Sequence, residues 1–166
     1  DEIVDTFHDF DKRHLFERFK EDTYHAIEHK ISLNPILNSF QAVYHKYNID
    51  IEHVNTFLKS MEMDLDEKEY DREGFEEYVL GSAEVVGLMC LHVFCKGDKK
   101  MYDHLKESAR SLGSAFQKVN FLRDMKSDYQ DRGRVYFPNV EYDEFDKSAK
   151  ELIEDDIQKD FDDAYK

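Results

Sequence analysis

From Tyr78 to Phe94 the chain reads YVLGSAEVVGLMCLHVF. The stretch is apolar on nearly every side, the pattern of a central helix enclosed by other helices. Gly81, Ala83 and Gly87 would let a neighbour or a ligand approach its backbone. The helix should begin near Arg72, after an acidic loop from Asp66 to Asp71, and end at Phe94 before the polar turn KGDKK at Lys96 to Lys100. Outward from it, every other segment also reads as helix, because 166 residues contain only 2 Pro and 6 Gly and the β-branched residues are scattered.

A first helix should cover Asp1 to Phe7, and a second Lys12 to Lys30, with Leu15, Phe16, Phe19, Tyr24 and Ile27 at three-and-four spacing. SLNP ends it, and a third runs from Pro35 to Tyr47. Asp50 is the N-cap of a fourth that carries Ile51, Val54, Leu58, Met61 and Leu65. A long helix from Met101 to beyond Asp128 exits through RGRVYFP, closed by Pro138, and an acidic amphipathic helix covers Asp143 to Tyr165. An all-α, single-domain architecture follows, with no repeat and no linker. Starting at DEIVD, inside a helix, the chain reads as a fragment.

Composition narrows the partners. Lys and Arg number 23 against 38 Asp and Glu, a formal charge of −15. That excess repels phosphate backbones, and without a basic patch nucleic acid is not expected. It suits divalent cations instead. Cys90 and Cys95 lie in an apolar run, so buried, reduced thiols are expected and not a disulfide scaffold. No uninterrupted apolar run reaches the ~18 residues of a membrane span.

Asp1 and Asp5 are four apart, as are Asp124 and Asp128, so each helical pair puts two carboxylates on one face. Spacing alone says little, since Asp5/Asp9 and Asp156/Asp160 repeat it. The context of the second pair is more specific. In LGSAFQKVNFLRDMKSDYQDRGRVYFP, Gln117, Asn120, Asp124 and Asp128 form one polar stripe beside Arg123 and shortly before Arg134. Carboxylates for metal, amides and arginines are what a site needs to grip a polyanion and stabilise its departing charge.

QxxNxxRDxxxD followed by GRxYxP, Gln117 to Pro138, resembles the second aspartate-rich signature of the squalene/phytoene synthase family, and DEIVD resembles the first. MEMDL at Met61 to Leu65 and YVLGSAEVVGLM at Tyr78 to Met89 resemble two segments between them. The resemblance implies an all-α isoprenoid-synthase bundle with the two motifs facing each other at the mouth of an apolar cavity. Magnesium, with manganese as a substitute, would be held by Asp1, Asp5, Asp124 and Asp128. Gln117 and Asn120 would line the site, Arg123 and Arg134 would contact diphosphate, and Tyr78 matches the active-site tyrosine. Ala83 and Gly87 match small residues against the prenyl chain.

The reaction so implied joins two prenyl diphosphates through a cyclopropyl-carbinyl diphosphate. The texture is closest to bacterial phytoene synthases, which take geranylgeranyl diphosphate; farnesyl diphosphate is the substrate of the squalene and dehydrosqualene branch. No NADPH motif stands out. A cytoplasmic protein with peripheral membrane contact for an oily product is expected, its oligomeric state open. Relative to the family, the upstream flap and the last helices are not represented, and Arg134 stands one residue further from Asp128 than in many relatives. Ser82-Ala83-Glu84 replaces an apolar triplet; Glu84 needs a partner or a wet cavity.

Two other readings compete. HAIEH, His25 to His29, fits the HxxEH pattern of zinc peptidases, although no third ligand can be assigned. An acidic helical module for a basic partner explains the charge but not the stripe on the long helix.

Overall fold

The computed structural model describes residues 2–66, 70–138, 140 and 145–166, with backbone alone at residue 132. Eight α-helices are found among them: α1 (Glu2–Asp5), α2 (Lys12–His29), α3 (Pro35–Tyr47), α4 (Ile51–Asp66), α5 (Arg72–Val79), α6 (Val85–Phe94), α7 (Lys99–Ser127) and α8 (Lys147–Ala164). The described residues contain no β-strand.

Caps explain most boundaries. Asp11, Asp71, Asp98 and Asp146 each accept a hydrogen bond from a backbone N–H three residues on, at 2.8–3.0 Å. Asn34 accepts from Ile36 N (3.0 Å) and Asp50 from Glu52 N (3.0 Å). Lys30 and Asn48 stop α2 and α3 in the left-handed region. α1 is shorter than expected, ending at Asp5, and α8 starts at Lys147. Asp1 and Asp143, the expected helix starts, lie outside the described residues, as do 67–69 in the acidic loop.

Two π-helical segments are additions that periodicity did not reveal. Leu80–Glu84 joins α5 to α6 in one rod, and Asp128–Arg132 follows α7. In the first, Ser82 Oγ donates to the Tyr78 carbonyl (2.7 Å), occupying an acceptor where the α-helical ladder shifts. Gly133, at φ 66°, ends the second and turns the chain back so that Arg134 N donates to the Asp128 carbonyl at 3.0 Å.

The apolar residues form two clusters. Val4, Phe16, Ile27, Val54, Leu58 and Met61 bind α1, α2 and α4 together. Tyr70, Phe75, Tyr78, Phe121, Tyr136 and Ile157 join α5, α7, the exit segment and α8. Burying each large apolar side chain contributes roughly 1.5–3 kcal/mol. α4 borders both clusters.

The rod α5–α6 is not enclosed on all sides, as its composition suggested. Val85, Leu88 and Leu91 are buried, whereas Phe94 is 75% exposed and Cys90, expected in the core, is exposed; Cys95 is buried. Arg72–Phe94 is long and apolar enough to cross a membrane by length and composition, although no single uninterrupted apolar run is. It packs on α4 and α7 at close range. A Cβ at Gly81 would come within 2.6 Å of the Thr56 carbonyl, and one at Gly113 within 2.8 Å of the Ala83 carbonyl. Gly87 likewise faces the Ala109 carbonyl at 2.9 Å, so its lack of a side chain serves the helix crossing.

Candidate active site

α4 carries Asp64 on its buried stripe, three residues after Met61. Its side chain is 3% exposed, and a lone buried carboxylate would be strongly unfavourable. Here it is surrounded by donors. Tyr78 OH donates to Oδ2 at 2.6 Å, and Tyr70 OH and Tyr136 OH donate to Oδ1 at 3.2 and 3.4 Å. Arg134, with a side chain 8% exposed, donates from Nη2 to the Asp64 carbonyl at 2.7 Å and places Nη1 3.6 Å from Asp64 Oδ1. The same Nη1 donates to Asp5 Oδ1 at 2.8 Å and to Tyr136 OH at 3.3 Å.

Charge and burial compete in this cluster. Burial raises the Asp64 carboxyl above its ordinary value, against the opposing pull of Arg134 and the Tyr78 hydroxyl. Burial and the neighbouring Asp64 push the Tyr78 hydroxyl far up and Tyr136 up to about 12, so both stay protonated donors at neutral pH. Burial works against the Arg134 charge, but Asp64, Tyr136 and Asp5 outweigh it and hold the guanidinium protonated.

Aromatic rings wall the cluster. Tyr70 and Tyr136 stack with centroids 5.5 Å apart, and Phe121 stacks on Tyr136 at 4.2 Å. Rings so placed exclude water and present π faces to a cation.

Arg134 brings the two aspartate motifs together. It pairs with Asp5 through its side chain and binds the Asp128 carbonyl through its backbone. Asp128 is buried. Asp124 lies one turn back along α7, where Arg123 grips both its oxygens at 2.8 and 2.6 Å. Asn120 is half-buried on the same helix. Asp1 is outside the described residues. Among the described residues no three acidic, histidine or cysteine side chains gather around a common ion position. Asp5, Asp124 and Asp128 carry carboxylates, the class of ligand that hard cations take.

Beyond the cluster, α6 and α7 enclose an open apolar groove of about 530 Å³, lined by Ala83, Gly87, Cys90, Phe94, Leu112 and Phe116 among others. Gln117 is at its wall as well, so the polar stripe of α7 runs into the groove. Glu84 does not line it: the carboxylate turns to Arg110, whose Nε donates to it at 2.8 Å. The partner expected for Glu84 is thus found, and the groove stays apolar.

His25, Glu28 and His29 are exposed on α2, the two rings 4.3 Å apart, with no third ligand among the described residues. Reading the sequence missed Asp64, Tyr70 and Tyr136 as site residues. The available signal was an acid on the apolar stripe of α4, inside a family-like segment.

The description squalene/phytoene synthase belongs to a family model that matches residues 1–166. The chain is 25% identical over 162 residues to 4,4'-diapophytoene synthase of Staphylococcus haemolyticus, covering 94% of this chain and 54% of that protein. To 15-cis-phytoene synthase of Synechococcus elongatus it is 30% identical over 117 residues, covering 65% of this chain and 38% of the relative. In fold it is similar to squalene synthase HpnC from Alicyclobacillus acidocaldarius, with a TM-score of 0.81 at 20% identity over 98% of this chain and 65% of the other. The chain spans about half or less of the length of these two curated relatives.

Proposed function

Because the chain belongs to the squalene/phytoene synthase family, we propose that it acts in the magnesium-dependent head-to-head condensation of two prenyl diphosphates. The preferred substrate is geranylgeranyl diphosphate, joined through a cyclopropyl-carbinyl diphosphate to phytoene. The observation that carries this reading is Arg134, whose side chain reaches Asp5 of the first motif while its backbone binds Asp128 of the second.

Asp5, Asp124 and Asp128 would hold the metal, which when bound neutralises the charge of the departing diphosphate. The chain's own residues supply the rest. Arg123 and Arg134 offer guanidinium donors to diphosphate oxygens, for which their present partners Asp124 and Asp5 are stand-in anions. Tyr78, protonated and fixed by Asp64, presents a neutral hydroxyl beside the leaving group. The groove between α6 and α7 takes the hydrocarbon, and with the stacked rings it keeps water from an allylic cation. An oily product argues for release at a membrane surface from the cytoplasm.

A second reading, condensation of two farnesyl diphosphates to squalene or dehydrosqualene, is supported by the likeness to a diapophytoene synthase across 94% of the chain. Product analysis with magnesium and either prenyl diphosphate, with and without NADPH, separates the two. Phytoene from the twenty-carbon substrate is expected, with Asp124→Asn lowering turnover by roughly a hundredfold or more while the fold is kept. No hydrocarbon from either substrate would overturn the proposal.

A further inference from the structure

Asp64 stands outside both aspartate motifs, and its side chain is 3% exposed against 26% for Asp5. A carboxylate offers about four lone-pair sites. Three tyrosine hydroxyls donate to Asp64, Tyr70 and Tyr136 on Oδ1 and Tyr78 on Oδ2, and Nη1 of Arg134 stands 3.6 Å from Oδ1. It is therefore a poor metal ligand, since an ion would compete with the tyrosines for their shared, buried acceptor. What it can do is set directions. The Tyr78 hydroxyl, on α5, and the Arg134 guanidinium, on the exit segment, come from separate elements and share Asp64 as their common partner.

Resting on the functional reading above, we propose that Asp64 is the positioning residue of the site. It fixes the Tyr78 hydroxyl oxygen and the Arg134 guanidinium relative to Asp5, so that ring, hydroxyl and cation face the diphosphate in one arrangement. Asp64 touches neither metal nor substrate; it acts through Tyr78 and Arg134. When Asp5 turns to other partners, Asp64 still holds Arg134 by its carbonyl and carboxylate, and the guanidinium keeps its place.

The test is a double-mutant cycle of Asp64→Asn and Tyr78→Phe in the full natural protein, with kcat and KM measured for the prenyl diphosphate it turns over. Asp64→Asn keeps an acceptor oxygen and the shape but loses the charge. It should lower kcat by roughly a hundredfold, the scale of a misplaced catalytic group, with KM changed less than about threefold. In the Tyr78→Phe background the same substitution should cost far less than it does alone, because the two act as a unit. Calorimetric titration of magnesium with inorganic pyrophosphate should give the same affinity for wild type and Asp64→Asn.

Independent, multiplying losses would overturn the proposal, as would a fall in magnesium–pyrophosphate affinity parallel to that in kcat. If Asp64→Asn does not fold, Asp64→Glu in the same cycle, with a carboxylate restored but displaced, must show the same coupling to Tyr78. An inactive wild type sinks the functional reading and this one with it, whereas an active wild type with full activity in Asp64→Asn sinks the role of Asp64 alone.

Discussion

Arg134 and Lys118 each sit between two carboxylates, and they differ in almost everything else. Arg134 bridges Asp5 and Asp64 at the junction of α1, α4 and the exit segment. Lys118, on α7, bridges Asp156 and Asp160 of α8 at 2.5 and 2.8 Å, with Ser114 Oγ also donating to Asp160 at 2.6 Å. The lysine's acids lie four residues apart, the spacing that flagged the aspartate motifs, whereas Asp5 and Asp64 are joined only by the fold. Spacing does not separate site from clasp. Enclosure does: Asp64 is almost wholly buried among three tyrosines, while Asp156 is 43% exposed to solvent that screens it. A planar guanidinium beside a buried carboxylate held by three tyrosines specifies one geometry; a flexible ammonium between half-wet acids holds two helices together.

Removing the cation should expose that difference most. Arg134→Met leaves the buried Asp64 uncompensated and should cost about 3–5 kcal/mol in urea unfolding, or prevent folding altogether. Lys118→Met should cost about 2 kcal/mol, because Asp160 keeps Ser114 and Asp156 keeps water; a cost equal to that at Arg134 would erase the distinction. Exchanging the cations sharpens it further. Arg134→Lys, losing the fork that reaches Asp5 and the Asp64 carbonyl together, should reduce turnover by roughly a hundredfold, while Lys118→Arg should stay within about 1 kcal/mol of wild-type stability.

The smallest effect is in pH. Burial lowers the Lys118 pKa, but its bonds to Asp156 and Asp160 outweigh this and raise it above 10.5. Its contribution to stability is therefore complete below 10.5 and lost as pH rises through the higher folded value. Alkaline melts should show that loss in wild type and not in Lys118→Met. Arg134 keeps its proton throughout the range, so Asp64 keeps its partner.

Much of the helix map was legible because the signals are local: aspartate and asparagine caps, Pro35, and apolar residues at three-and-four spacing. Of the residues that the family motifs named, Asp5 and Arg134 pair, Tyr78 and Arg134 share Asp64, and the Arg134 backbone binds the Asp128 carbonyl. Legibility failed where a residue's role depends on what lies opposite. Asp64 and Lys118 both occupy buried helix faces, and nothing within five residues of either announces its partner. Cys90 was misplaced for the same reason, since an apolar neighbourhood in sequence does not reveal which helix face is left open. The π segments escaped because a shift from i+4 to i+5 bonding leaves no compositional mark.

The segment Leu80–Glu84 lies between Tyr78, which points at charge, and α6, whose Gly87, Cys90 and Phe94 line the apolar groove. One residue more or fewer in such a stretch rotates everything downstream by about 100° and moves it by about 1.5 Å. The segment thus acts as a phase setting between the two halves of one rod. Its length, together with the close approach at Gly81, decides which wall of α6 faces the groove.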